Sequence, residues 1–293
     1  MNNLDKKKNL RTFDNYGKIS FRSDLEFDPE KIIKTKIPSK KTLFILENVL
    51  TDGECNQLIE SSNPYYESLD KEYLRKERDN QRVLSQDKEF ADILFSRISK
   101  HLDDNNLKPC GFGTKGKWSP LKINSCFRYS KYVSPSVGFV PHRDATYIED
   151  EDTRSILSIL IYLNDDYQGG STIFYKTHNK RTMDQIVEDE MSFGYDERFQ
   201  YKGKKGSVLI FNHNMIHKGD QIHRGTKYLI RSDIIYKCIR DKDYTREWLY
   251  NHDFLQCIEL YREAINQELD GNIEKSSYLF QKALAIRQCH KEK

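Results

Sequence analysis

The feature that most constrains this chain is a long stretch, residues 121–237, without helical periodicity. It consists of short runs rich in β-branched and aromatic residues, separated by Gly, Pro, Asn and Asp, which is typical of strands joined by turns. Six such runs follow one another: INSCFRYSKY, SVGFVPH, RSILSILIYL, STIFY, SVLIF and KYLIRSDIIYK. Because no helical pattern separates them, they favour a sandwich, a jelly roll or a barrel.

Helical patterns precede this β region. Thr51 and Glu54 have the spacing of a capping box after the apolar run TLFIL, which predicts the start of a helix. Residues 87–102 carry apolar side chains at helical intervals, which predicts a second helix. The charged run YLRKERDNQRV between the two predicts a solvated loop. We therefore expect support helices within residues 50–105.

The ends of the chain differ from the centre. Residues 1–36 are rich in lysine and asparagine, and we expect a loosely held arm. Residues 241–293 regain helical periodicity around a break at Asp270-Gly271-Asn272, which predicts a C-terminal helical hairpin. This hairpin either docks on the β core or, because it is similar to one tetratricopeptide repeat, contacts another protein. The segment between, residues 37–240, would form one domain, interrupted by a polar insert at 176–204.

Composition narrows the function classes. The chain has 48 basic and 45 acidic residues among 293, so its charge is nearly balanced and indicates no nucleic-acid partner. No apolar run is long enough to span a membrane, and no signal peptide is apparent at the start. The six cysteines form no C-x-x-C pair, which favours reduced thiols. We expect a cytoplasmic or nuclear protein with no membrane partner.

One short motif suggests a metal site. In GFVPHRDATY, residues 138–147, His142 and Asp144 lie two positions apart, so on a strand both would point to the same face. Two histidines and one carboxylate are the ligand set of non-haem Fe(II) oxygenases. This hypothesis requires a second histidine later in the β region, where the sequence offers His213, His217 and His223.

At this point the sequence resembles the iron- and 2-oxoglutarate-dependent dioxygenases of the prolyl 4-hydroxylase type. His217-Lys218-Gly219 follows the run GSVLIF, and Lys227 lies ten residues after His217, as in that family's distal-histidine motif. Further motifs agree in order over residues 42–237, namely FILENVLTDGECNQLIESS, RDNQRV, FRYSKY and LIYLNDDYQGGSTIF. The resemblance implies a double-stranded β-helix, a cupin-like jelly roll, with N-terminal support helices.

The resemblance also implies site residues and cofactors. His142, Asp144 and His217 would bind Fe(II), and 2-oxoglutarate would bind beside the metal. The far carboxylate of 2-oxoglutarate needs a cation, and we favour Lys227. Arg231 is the alternative, although four residues of strand place it about 13 Å further along.

Other residues are candidates for the same cosubstrate site. Tyr129 or Tyr132 would donate a hydroxyl to the far carboxylate, and Thr172 would face the pocket. Arg143, beside the first metal ligand, would either contact substrate or lie exposed.

The expected reaction uses O2 to convert 2-oxoglutarate to succinate and CO2 while hydroxylating a C–H bond. The resemblance implies a peptidyl proline in a protein or peptide substrate, and dependence on ascorbate. Another side chain, a free amino acid or a methylated nucleobase remains an alternative substrate. A different class of protein also fits the fold, a non-catalytic cupin-like scaffold that uses its C-terminal hairpin as the working surface.

Overall fold

The structure, a computed structural model, describes residues 19, 21–39, 41–69, 74–102, 107–109, 113–175, 199–240, 251–270 and 272–289. The helices are α1 (Asp52–Ser62), α2 (Lys88–Ile98), α3 (His252–Leu269) and α4 (Ile273–Cys289). The strands in the first half are β1 (Ile33–Lys36), β2 (Leu43–Glu47), β3 (Glu67–Ser68), β4 (Gln81–Gln86), β5 (Lys117–Ile123), β6 (Cys126–Val133), β7 (Phe139–His142) and β8 (Ile148–Asp150). Those in the second half are β9 (Thr153–Tyr162), β10 (Gln168–Gly169), β11 (Thr172–Phe174), β12 (Phe199–Tyr201), β13 (Val208–Asn212), β14 (His217–Gly219), β15 (Ile222–Arg224) and β16 (Thr226–Ile239).

Two antiparallel sheets form the core. The larger one has the order β1-β2-β13-β9-β16-β6-β4-β3, with β5 added on β16 and β8 on β9. The smaller one has the order β12-β11-β14-β7, and β10 pairs with β15 separately. Non-consecutive strands are neighbours in both sheets, as the jelly-roll prediction requires, and that prediction is confirmed.

Strand β9 shows why the large sheet is a middle layer. All ten of its residues are buried, so both of its faces are covered. Ile159 and Ile161 belong to a cluster with the apolar faces of α1 and α2, whereas Leu160 and Tyr162 face the small sheet. This alternation follows from the two-residue period of a strand. The layers are therefore stacked in the order helices, large sheet, small sheet. Helices α1 and α2 cover the face of the large sheet that points away from the small sheet.

Three sequence expectations need correction. Residues 33–36 of the expected loose arm form β1, which pairs with β2 at the edge of the large sheet. The end of the charged run is not a solvated loop, because residues 81–86 form β4, with Arg82 and Val83 buried. Strand β12 lies inside the expected insert 176–204, of which residues 176–198 fall outside the described residues.

The start of α1 has a capping box. Thr51 Oγ1 accepts a hydrogen bond from the Glu54 amide at 3.1 Å, and Glu54 accepts one from the Thr51 amide at 3.0 Å. We expect Thr51→Ala to lower the free energy of unfolding by about 1 kcal/mol, because it leaves the Glu54 amide without its partner and removes the hydrogen bond to Asp24. Urea denaturation measures this effect. Ser96→Ala, at an exposed position whose hydroxyl bonds only the carbonyl of Ile93, is the matched control and should be close to neutral.

The C-terminal helices α3 and α4 dock on the β core. Ile148 of β8 packs in one apolar cluster with Phe254, Cys257, Ile258 and Tyr261 of α3 and with Ala283 of α4. The two helices contact each other through the Tyr261 and Phe280 rings, whose centroids are 5.8 Å apart. The hairpin was expected either to dock on the β core or to contact another protein, and these contacts match docking on the core. None of the helices in the described ranges is both long and apolar enough to cross a lipid bilayer.

Candidate metal and cosubstrate site

Two histidines and an aspartate meet at one edge of the small sheet. Strand β7 ends at His142, and β14 begins at His217, which is its partner in register. Asp144 lies two residues beyond the end of β7, so the irregular segment after the strand, and not the strand, brings it to His142. One potential ligand atom from each of the three residues lies within 4.8 Å of the others. The Asp144 carboxylate is 3.9 Å from His142 Nε2 and 3.8 Å from His217 Nε2.

The hydrogen bonds of the histidines suit metal binding. His142 Nδ1 donates to the Val140 carbonyl at 2.8 Å, and His217 Nδ1 donates to the Met215 carbonyl at 3.2 Å. A carbonyl can only accept, so both Nδ1 atoms carry the proton and both Nε2 atoms keep a lone pair. Such contacts also fix the orientation of each ring. The donor set of two imidazole nitrogens and a carboxylate therefore fits Fe(II).

The charge states of these three residues are also appropriate. Burial, reinforced by the neighbouring His217, lowers the pKa of His142 to about 3, and burial lowers the pKa of His217. Both imidazoles are thus neutral near pH 7. Burial alone would raise the pKa of Asp144, but the Arg231 guanidinium and the two histidines hold it well below its usual range. The site therefore presents two neutral nitrogen atoms and one anionic oxygen as potential ligands.

A buried network behind Asp144 explains the position of His213. The Ser158 hydroxyl donates to Asp144 Oδ2 at 2.5 Å, so its oxygen accepts from His213 Nδ1 at 2.7 Å. His213 Nε2 then accepts from the Ser155 hydroxyl at 2.8 Å. His213 is therefore a partner of two serines and is not one of the three grouped ligand candidates. His223, the other histidine of the region, is exposed on β15.

Lys227 lies at the far end of the same cavity. Its side chain is 2% exposed, and its Nζ donates to the Gly170 carbonyl at 2.7 Å. The Nζ atom is 5.7 Å from the centre of the Tyr132 ring, and Tyr132 lines the cavity. Thr172 also lines it, with its hydroxyl 2.7 Å from that of Tyr162. Lys227, Tyr132 and Thr172 thus form one end that can bind a carboxylate through a buried ammonium and nearby hydroxyls.

The other two cosubstrate candidates lie elsewhere. Tyr129 is fully buried on the opposite face of β6, in the cluster that packs on α1 and α2, because positions 129 and 132 have opposite parity on the strand. Arg231 does line the cavity, but its Nη2 donates to Asp233 at 2.9 Å and its Nε is 3.2 Å from Asp144. The structure therefore brings neither Tyr129 nor Arg231 to the Lys227 end.

The cavity itself has a volume of about 220 Å³ and lies between the two sheets. Its walls include Arg82 and Arg128 and three residues of the C-terminal hairpin, Ile265, Glu268 and Phe280. Sequence reasoning missed all five. Arg82 and Arg128 alternate with core positions on β4 and β6. This two-residue period could have indicated that both arginines lie on the face opposite the core. For the hairpin residues no sequence signal indicates contact with the cavity. Arg143 is exposed at the cavity rim.

Comparison with known proteins identifies the family of the central segment. Residues 127–232 match the model of the 2OG-Fe(II) oxygenase superfamily. This segment contains His142, Asp144, His217 and Lys227. No curated protein matches the chain.

Comparison with solved structures finds several similar chains. A prolyl hydroxylase in complex with a hypoxia inducible factor peptide fragment, from Trichoplax adhaerens, is 15% identical, with 67% of this chain and 84% of that chain covered and a TM-score of 0.43. A Pseudomonas putida prolyl-4-hydroxylase is 12% identical, with 69% and 95% covered and a TM-score of 0.43. HygX from Streptomyces hygroscopicus, solved with nickel and 2-oxoglutarate, is 15% identical, with 72% and 90% covered and a TM-score of 0.42.

The family match and the geometry agree, since the matched segment is the one that gathers the two histidines, the aspartate and the buried lysine around one cavity. The central segment of this chain, residues 127–232, therefore carries the match to the 2OG-Fe(II) oxygenase superfamily.

Proposed function

We propose that His142, Asp144 and His217 hold the catalytic Fe(II) of this oxygenase. The observation that supports this most directly is the convergence of their ligand atoms within 4.8 Å, inside the segment that matches the superfamily model. Ser158 and Arg231 keep the Asp144 carboxylate ionised and oriented, and two backbone carbonyls orient the imidazoles. These contacts prepare the ligand set before metal arrives.

We propose further that Lys227 binds the far carboxylate of 2-oxoglutarate, assisted by Tyr132 and Thr172. A buried ammonium is the strongest available partner for a carboxylate in this part of the cavity, because the contact is shielded from water. When bound, the iron and 2-oxoglutarate supply oxidation by O2, which yields succinate, CO2 and a hydroxylated substrate. The chain supplies the fixed ligands, the buried cation and a cavity closed by the two sheets.

For the prime substrate we propose a peptidyl proline. This rests on the motifs of the prolyl 4-hydroxylase type in their expected order over residues 42–237. The same resemblance supports a requirement for ascorbate. Incubation of the full chain with Fe(II), 2-oxoglutarate and O2 should release succinate faster when a suitable proline peptide is present.

The experiment compares proline-containing peptides, free amino acids and methylated oligonucleotides, with succinate and the mass gain of one oxygen atom as readouts. Stimulation by the peptides alone would support prolyl hydroxylation. Stimulation only by an amino acid or an oligonucleotide would contradict the prolyl proposal and keep the oxygenase. Omitting ascorbate tests its role in the same assay.

The affinity for 2-oxoglutarate should fall as the pH rises above about 7. Burial lowers the pKa of Lys227 to about 7, so its ammonium is present below that pH and is lost above it. Only the charged form attracts a carboxylate, so the dissociation constant should rise by up to about tenfold per pH unit until the pKa of the complex is reached. Lys227→Arg keeps its charge at every such pH and should remove the dependence. A parallel dependence in both proteins would contradict the role of Lys227.

A further inference from the structure

Three arginines converge on one part of the cavity. In the large sheet, Arg128 of β6 is the direct partner of Arg231 of β16, and Arg82 of β4 is the partner of Ser130, one row nearer to Lys227. All three side chains line the cavity. We call them the arginine cluster. Like charges at directly opposite positions of antiparallel strands are destabilising, so the cluster requires an anion.

Arg231 has Asp144 and Asp233 beside it, whereas the anion at Arg128 comes from outside the β core. Glu268 of α3 accepts from Arg128 Nη2 at 2.8 Å and from Arg128 Nε at 3.3 Å, a two-point contact that holds a carboxylate in a defined plane. Glu268 is 8% exposed. Burial alone would raise its pKa, but Arg128, Arg82 and Arg231 lower it to about 2. A carboxylate at this position is therefore stabilised by all three guanidinium groups.

Positive side chains outnumber carboxylates around the cavity as a whole. Arg231 pairs with Asp144 and Asp233, and Arg128 pairs with Glu268. Among the described residues, seven Arg or Lys and three Asp or Glu line the cavity, a formal excess of four positive side chains. Arg128 Nη1 is buried and makes no hydrogen bond within the described residues. Glu268 is not the sole attachment of the hairpin among the described residues, because the apolar cluster around Ile148 also joins it to the β core. An ion pair that served only to attach the hairpin would need Arg128 alone, whereas Arg82 and Arg231 also line the cavity beside it.

The position of the cluster excludes 2-oxoglutarate as its ligand and favours the prime substrate. Along β16, Arg231 is four residues from Lys227, or about 13 Å. Arg231 Nε is only 3.2 Å from Asp144, so the cluster adjoins the candidate metal ligands. A group held by Arg128 would place its neighbouring C–H bonds close to the metal. The two ends of the cavity thus suit two different carboxylates.

We propose that Arg82, Arg128 and Arg231 form a subsite for a carboxylate of the prime substrate, and that Glu268 occupies this subsite until the substrate carboxylate replaces it. The proposal rests on the proposed oxygenase function and specifies its substrate class as carboxylate-bearing. Two sources share this chemistry, an acidic side chain next to a peptidyl proline and the α-carboxylate of a free amino acid. Arginine suits either one, because its planar fork matches carboxylate geometry.

Binding of two matched probe pairs tests the proposal. One pair is acetyl-Gly-Glu-Pro-Gly-amide and its Gln analogue, and the other is L-proline and L-prolinamide. Calorimetry on the full chain, with Fe(II) and 2-oxoglutarate under anaerobic conditions, measures each dissociation constant. In at least one pair the carboxylate member should bind at least about tenfold more tightly, as expected for a charge-assisted two-point contact. The pair that shows the preference identifies the source.

Three variants complete the test. Arg128→Gln should reduce the preference to about one. Glu268→Gln should tighten binding of the preferred carboxylate probe by about tenfold without tightening its amide partner, because the competing internal carboxylate is gone. Arg240→Gln, which breaks the buried Arg240–Asp152 pair outside the cavity, is the matched control and should keep the wild-type preference.

Several results would overturn the subsite. These are equal or undetectable binding within both wild-type pairs, a preference that Arg128→Gln retains, or weaker binding of both pair members in Glu268→Gln. The last result is what an attachment role of Glu268 predicts. The proposed function fails separately, on absence of succinate formation, since the binding measurement requires no turnover.

Discussion

Replacing His217 by alanine should abolish the visible absorption band that Fe(II) and 2-oxoglutarate produce together in the absence of O2, and with it succinate formation. His217 offers one of three potential ligand atoms that lie within 4.8 Å of one another, and its Nε2 is the atom left free by the Nδ1 contact with Met215. With two protein ligands remaining, the metal loses the arrangement that a chelating keto acid requires. Titration of Fe(II) into the anaerobic protein with 2-oxoglutarate measures the loss.

His213→Ala is the matched control, because His213 is equally buried and only four residues away but contacts two serines. It should keep the band at saturating iron. Iron affinity should fall by no more than about 10–100-fold, the usual effect of removing a group that orients a ligand. If both variants lost the band to the same extent, His217 would not be distinguished as a ligand.

Lys227→Ala should raise the 2-oxoglutarate concentration required for half-maximal turnover by about 30-fold or more while leaving iron bound. The estimate follows from the cost of about 2–5 kcal/mol for truncating one partner of a buried, hydrogen-bonded charge pair. Lys227 is 2% exposed, so water cannot replace the lost ammonium effectively. The readouts are the 2-oxoglutarate dependence of succinate formation and, independently, Fe(II) binding without cosubstrate.

Lys218→Ala is the control for this prediction. Lys218 also lines the cavity but lies beside His217, with its Nζ 3.6 Å from Asp220. Removing it lowers the charge of the cavity by the same amount without changing the Lys227 end. An unchanged cosubstrate requirement in Lys227→Ala would contradict the role proposed for Lys227.

The sequence was informative where a residue's role depends on local order. Alternating runs predicted the antiparallel sheets, and the capping-box spacing at Thr51 predicted the start of α1. The ten-residue spacing between His217 and Lys227 lies within one short region of paired strands, and both residues line the same cavity. These features repeat a period or a motif, so they can be read without knowledge of distant contacts.

Features that depend on distant contacts were not predictable. Two tyrosines on β6 were equivalent candidates, and only the packing of α1 and α2 determines which face of that strand is the helix side. Asp144 reaches His142 through an irregular segment whose path no periodicity encodes. Glu268 lies 140 residues beyond Arg128, on a helix whose amphipathic pattern indicates what it buries but not which cavity it borders.

Because α3 and α4 contribute to the cavity wall, the residues of the candidate metal site and the residues that shape the far wall of the cavity lie in different parts of the chain. Every candidate ligand and the buried lysine lie before residue 240, whereas Ile265, Glu268 and Phe280 lie after it. Substitutions in the last fifty residues can therefore change which molecules are accepted without altering the oxidising centre. Related enzymes that differ only in this terminal segment would diverge in selectivity while keeping one chemistry.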